Sequence, residues 1–200
     1  MTDSDSRYAL SFTSGTLLAQ ESAVVVPIYL EARDWAETRA RVVEQNLLQT
    51  RTGGSNIRTL GELLPRLQTL NDNELQIIAD GLSSERGHLL WVAACRRYRL
   101  IAEFAEEVLR ARFQTLAGNV SYNEFDAFYR DKALWYDELD KITSSSYKKL
   151  RQVLFKMMVE AGLLATDKSI EHVILSHRVA EALRAQRPSE IRYFPTRDAL

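Results

Sequence analysis

The sequence is poor in the residues that build disulfides, metal sites and membrane spans. Its one cysteine, Cys95, lies inside an apolar run, so no intrachain disulfide can form. A chain of this size without a disulfide framework reads as cytosolic. The three histidines, His88, His172 and His177, show no metal-ligand spacing with cysteine or carboxylates. No metal and no cofactor are expected. The stretch Met1–Arg7 is polar and acidic and lacks the charged-then-apolar pattern of a signal peptide. The longest apolar runs, Ala23–Leu30 and Leu89–Cys95, fall well short of the roughly 20 residues that cross a bilayer. The expectation is a cytoplasmic protein with no membrane partner.

An excess of charge of one sign is also missing. With 26 basic against 27 acidic residues the net charge is −1, which excludes a chain coated in positive charge. Local basic faces stay open, because they depend on distribution rather than on the sum. A hydrophobic fraction of 46% excludes wholesale disorder, and 200 residues leave room for one large domain or two small ones. The chain carries no phosphate-binding Gly-Lys loop, no dinucleotide fingerprint and no nucleophile elbow. Its acidic residues fall mostly at helix starts and on solvated faces, without a nuclease-like cluster. No catalytic residue emerges, and the protein reads as a non-enzyme.

What the sequence does contain is helical periodicity. A short helix is expected from near Ser14, with a break at Pro27, which lacks an amide donor. Asp34 fits an N-cap with Glu37 as its partner, ahead of Trp35, Val42, Val43 and Leu47 at helical spacing, to about Gln49. Leu60, Leu63, Leu64, Leu67 and Leu70 form the stripe of the next helix, in which Pro65 predicts a kink or a late start. Asn71 to Glu74 opens a short helix ending near Gly81. From about Gly87 to Phe113 one face is held for some seven turns. Gly118-Asn119 is the expected domain boundary, followed by the capping box Ser121–Glu124.

Beyond it, one helix carries Phe125, Phe128 and Tyr129, and another Leu134, Trp135 and Leu139. These aromatics, with Tyr122 and Tyr136, read as core rather than as a base-stacking platform. A serine-rich cap precedes a helix from about Ser145 to Ala161, closed by Gly162. Ile170–Leu175 and Ile191–Phe194 read as short strands, with a helix over 176–186 between them. The resulting fold class is mostly α: two small helical subdomains, 1–118 and 119–200, with helix-turn-helix-like elements. The C-terminal one is winged-helix-like with a short β element.

Three basic clusters could carry function. Lys141 to Val159 contains five basic residues and no acidic one. At 100° per residue Ser145, Lys148, Lys149, Gln152 and Lys156 share an arc opposite Tyr147, Leu150, Leu154, Met157 and Met158, with Arg151 at the margin. Ordinary solvated faces mix signs, so a one-signed face points to phosphate oxygens or base edges. Ser144 and Ser145 add donors at the helix N-terminus, where phosphate is favourable. A second cluster, Arg51, Ser55, Arg58 and Arg66, surrounds a glycine turn between helices. It fits a helix-turn-helix and equally an ordinary all-α turn. Arg96, Arg97 and Arg99 form the third, where Glu103, Glu106 and Glu107 stand at distances that allow intrahelical pairing.

The N-terminal half also carries a resemblance. Tyr8-Ala-Leu-Ser-Phe-Thr-Ser-Gly15-Thr-Leu-Leu18, Asn46-Leu-Leu-Gln-Thr-Arg51-Thr with Ser55 and Arg58, and Arg66-Leu-Gln-Thr-Leu70 resemble the BrxA family. Leu89-Leu-Trp-Val-Ala-Ala-Cys-Arg-Arg-Tyr98 through Phe104, and Glu107-Val-Leu-Arg-Ala-Arg-Phe113, are similar to it as well. In the C-terminal half the likeness rests on length, the serine-rich cap, the basic helix and Ala161-Gly-Leu-Leu164. The resemblance implies a small accessory protein of BREX, the bacteriophage-exclusion systems of bacteria, working beside a methyltransferase, an ATPase and a phosphatase-like partner. That family is associated with double-stranded DNA binding and helix-turn-helix-like subdomains, and has been likened to RNA-binding antitermination proteins. It has also been labelled an inner-membrane protein, which the hydropathy contradicts. The expected function is therefore a non-enzymatic component binding double-stranded DNA and other BREX proteins. RNA binding in the antitermination manner, or a protein-interaction scaffold, is the alternative.

Overall fold

The computed structural model describes residues 7–12, 15–50 and 52–197, and these are mostly helical. Leu18 adopts a left-handed conformation (φ 59°) and turns the chain into α1, Ala19–Ala32. This helix starts later than the sequence suggests and runs through Pro27 instead of breaking there. One missing amide is outweighed by an apolar face, with Val25 and Val26 fully buried. The expected start at Ser14 lies outside the described residues. In α2, Trp35–Glu44, the Glu37 amide donates to Asp34 Oδ1 at 2.7 Å, the cap the sequence calls for.

Helix α3, Gly53–Leu67, is capped by Thr52, whose hydroxyl accepts from the Ser55 amide at 3.3 Å. It neither starts late nor stops at Pro65, because the leucine stripe from Leu60 to Leu67 is buried along its whole length. Asn71 and Glu74 form a reciprocal capping box at the head of α4, Asp72–Asp80.

The single long helix expected over 87–113 is several pieces. Helix α5, Ser83–Arg97, ends where Tyr98 turns extended (φ −125°, ψ 100°). Then come α6, Arg99–Phe104, a π-helical segment Ala105–Arg110, and α7, Ala111–Gln114. Tyr98 is nearly fully buried against Phe12, ring centroids 5.0 Å apart, so the N-terminal segment takes part in fixing the break. The π segment contains Arg110, which is buried and donates to the carbonyls of Ile191 and Phe194 at 3.0 and 3.3 Å.

In the C-terminal half, α8 is Tyr122–Ala133, α9 is the single turn Asp137–Asp140, α10 is Ser144–Glu160 and α11 is His177–Arg184. Gly162 (φ 69°) closes α10 as expected, with the Leu163 amide reaching back to the Met158 carbonyl at 2.9 Å. The two expected strands are not formed as such. Glu190–Tyr193 is a 3-10 helix, and Ile170 makes one isolated bridge, to Leu164. Short extended segments are nevertheless cross-tied. Val120 donates to Lys168 O (3.1 Å), Ile170 to Gly118 O (2.9 Å), Ala165 to Ser169 O (2.9 Å) and Glu171 to Leu163 O (3.0 Å). Residues 168–171 thus lie between 118–120 and 163–165.

Buried residues from both sides of Gly118-Asn119 join one core cluster. Fully buried Trp91 in α5 donates its indole N–H to the Tyr193 carbonyl at 3.1 Å, and Phe104 meets Phe125, Phe128 and Phe155. The aromatic-core reading holds for Phe125, Phe128 and Tyr129. It fails for Trp135, which is 84% exposed because α8 ends at Ala133 and the chain turns there.

Candidate nucleic-acid interface

Thr143 caps α10, its hydroxyl accepting from the Ser146 amide at 3.2 Å. Leu150, Val153, Leu154, Phe155, Met157 and Met158 turn inward and fix the rotation of the helix. That rotation leaves Ser144, Ser145, Lys148, Lys149, Gln152 and Lys156 exposed. Among the described residues no ion pair involves Lys148 or Lys149, and Lys156 stands 4.0 Å from Glu160 at the far end of the helix. The one-signed face read from the sequence is therefore presented to solvent over about two turns.

Arg151 is not part of that face. It is half-buried, and Nη1 donates to both oxygens of Asp126 in α8, at 2.6 and 2.7 Å. Its guanidinium lies 4.3 Å over the Tyr122 ring. Tyr147 also donates to Asp126, and burial together with that carboxylate raises the Tyr147 phenol well above its ordinary range. A carboxylate already satisfied by a cation and a hydroxyl, 25 positions away in sequence, removes Arg151 from the candidate phosphate ligands.

The structure adds a cation that the sequence reading passed over. Lys168 sits at the end of the 165–168 turn with φ 71°, its ammonium 4.0 Å from the centroid of Tyr122. Tyr122 thus carries Arg151 and Lys168 together, and ties the turn to the head of α8. Asp167 accepts from the Ser169 amide (2.9 Å) and hydroxyl (2.7 Å), which depresses its carboxyl and stiffens the turn. The Asp-Lys-Ser turn chemistry was visible in the sequence, but its position beside α10 was not.

The second cluster does not survive intact. Ser55 and Arg58 are exposed on the first turns of α3, and Arg51 lies outside the described residues. Arg66 is 1% exposed and cannot reach a phosphate. It donates to the Thr16 carbonyl (2.5 Å) and to Glu62 (3.1 Å), and its guanidinium stands 5.4 Å from the Tyr98 ring centroid. It is a brace between the N-terminal segment and the core, because the leucine stripe it interrupts is itself buried.

In the third cluster Arg99 pairs with Glu103 at 2.6 Å, as the spacing suggests. Arg96 instead bridges Glu74 (2.6 Å) and Glu190 (2.7 Å), distant in sequence. Glu106 and Glu107 take Arg192 (3.0 Å) and Lys132 (2.7 Å).

Fold and site together define a mostly helical protein presenting a lysine-bearing helix face. No helix of the described residues is long and apolar enough to cross a membrane. A family model described as BrxA matches residues 6–187, and the chain belongs to the BrxA family. It is 29% identical over 172 residues to the BREX protein BrxA of Escherichia coli O9:H4 (strain HS), covering 84% of this chain and 79% of that one. It is 24% identical over 181 residues to the BREX protein BrxA of Paramagnetospirillum magneticum AMB-1, covering 89% and 90%. A crystal structure of an uncharacterized protein from Magnetospirillum magneticum shares the fold. Its TM-score is 0.75 at 21% identity, with 94% of this chain and 98% of that chain covered.

Proposed function

We propose that the protein is a non-enzymatic, cytoplasmic component of a BREX phage-defence system that binds double-stranded DNA through α10. The observation that carries this reading is the exposed face of α10, where lysines and hydroxyls stand without an intervening acidic side chain. Helices α8 to α10 act as a winged-helix-like unit, with α10 as the helix laid against DNA. The cross-tied 118–120, 168–171 and 163–165 segments support its short β element, and Lys168 in the turn supplies a flanking phosphate contact. Ser55 and Arg58 at the head of α3 offer a second, smaller contact in the helix-turn-helix-like N-terminal half. The other BREX components are its protein partners.

The test is a gel-shift titration of duplex DNA at several salt concentrations with the Lys148→Glu, Lys149→Glu, Lys156→Glu triple variant. Binding by wild-type protein should weaken steeply with salt. The triple variant should lose binding while its circular dichroism is unchanged. Unchanged affinity sinks the assignment of α10. Preference for structured RNA over duplex DNA in competition would replace the DNA reading with the antitermination-like one.

A further inference from the structure

Six large apolar side chains are exposed among the described residues, and four of them, Ile57, Leu82, Leu116 and Ile174, have no other of the six beside them in sequence. The other two, Leu134 and Trp135, are neighbours and are 78% and 84% exposed. Isolated exposed apolar residues are ordinary, whereas tryptophan is among the residues most enriched at binding anchors, and here an exposed leucine extends its apolar surface. The local backbone explains their direction. Leu134 and Trp135 close the end of α8 with amides bonded to the Arg130 and Lys132 carbonyls, at 3.3 and 3.0 Å. The next aromatic, Tyr136, packs edge-on against Tyr8 at 4.8 Å, and Leu139 is buried. The turn is therefore anchored inward on both sides and holds its apolar tip outward.

We propose that this α8–α9 corner docks another protein, whose contacting segment carries a basic side chain beside an apolar one. The charge at the corner selects that chemistry. Its lysines are spent: Lys132 pairs with Glu103 and Glu107, and Lys141 with Asp137. Among the described residues no ion pair involves Asp131 or Asp140; of the exposed cations nearby, Arg130 bonds the Asp126 carbonyl through its Nε–H and Lys141 is held by Asp137. A cleft of about 660 Å³ opens beside the turn, with Ala133, Tyr129 and Tyr147 among its walls. Of its charged groups, Asp126 is held by Arg151 and Tyr147, Arg130 stands on the α8 side, and Asp140 is the carboxylate left for an incoming cation. A guanidinium or ammonium entering it meets a free carboxylate and aromatic faces. An apolar neighbour on the same segment then covers Leu134 and Trp135. Nucleic acid is the wrong occupant, since phosphate would face unpaired Asp131 and Asp140.

The experiment places a photo-cross-linker at the tip, as Trp135→p-benzoylphenylalanine, in the full-length protein in cells carrying the complete defence system. Irradiation should give a protein adduct whose cross-linked peptide holds a lysine or arginine within about three residues of the attachment point. Adding Asp140→Lys should cut the adduct yield at least fivefold. The separate variant Trp135→Ser should bind duplex DNA as wild type does, which keeps this result distinct from any failure of the α10 assignment. The proposal is overturned by an adduct with DNA, by one with a second copy of this chain, or by a peptide without a basic residue. It is equally overturned by the absence of any adduct, by indifference to Asp140→Lys, or by loss of DNA binding in Trp135→Ser.

Discussion

Arg151 in α10 and Asp126 in α8 form a closed pair, with one guanidinium nitrogen reaching both carboxylate oxygens at 2.6 and 2.7 Å. The pair joins the lysine-bearing helix to its neighbour and withholds one cation from the exposed face. Asp126→Asn keeps the shape and removes the charge. It should free Arg151 for phosphate and raise DNA affinity severalfold. The slope of log affinity against log salt should steepen by about 0.9, as for one added phosphate contact. The same change should lower stability by about 1.5–3 kcal/mol, the usual worth of a hydrogen bond to a charged group. A salt series of DNA titrations with a thermal melt checks both. Equal affinity of variant and wild type would show that Arg151 stays committed to the fold.

The two arginines of α3 should separate cleanly. Arg66→Ala removes a buried cation together with its bonds to the Thr16 carbonyl and to Glu62, and should cost roughly 3–5 kcal/mol, as broken buried pairs do. Arg58→Glu changes an exposed site and should leave the melting temperature within a degree or two while weakening DNA binding. Urea unfolding and gel shift on both variants distinguish brace from contact.

Gly162→Ala tests the end of α10. The position has φ 69°, and a Cβ there meets open space, so the cost is conformational rather than steric. A loss of about 1 kcal/mol is expected, read as a shift in the urea midpoint with unchanged slope.

Acid should destabilise the protein in two stages. His88 is buried against Phe194, and burial lowers its pKa below the ordinary 6.5. Its unfolded form therefore takes up a proton first, and stability declines as the pH falls from 6.5 toward the folded value. Glu85 is lowered to about 2, first by hydrogen bonds from Arg178 and then by one from Ser176. Its contribution is complete above 4.5 and disappears as the pH falls through about 2. His88→Phe should flatten the first stage and Glu85→Gln the second, measured as unfolding free energy between pH 7.5 and 2.

Much of this architecture was legible before any tertiary information. The caps at Asp34 and Asn71–Glu74, the Ser121–Glu124 box and the glycine end of α10 are contacts within five residues, which sequence spacing reports directly. The leucine stripe of α3 and the inward face of α10 follow from the 3.6-residue period. The lysine face of α10 was visible for the same reason: the period that buries Leu150, Leu154 and Met158 turns Lys148, Lys149, Gln152 and Lys156 outward.

Only the tertiary structure decided the fate of individual charges and of the turns. Arg66 and Arg151 carry the same side chain as Arg58, yet the first is a core brace, the second is neutralised across 25 positions, and the third is exposed to solvent. Arg96 chose Glu74 and Glu190 over the glutamates downstream, and Tyr98 broke a helix that periodicity alone would continue. Trp135, core by composition, stands in water because the chain turns at Leu134. Helical period and capping are local and repeat along the chain. Ion pairing, burial and turn direction depend on which helices come to lie side by side, and that is a property of the packed core.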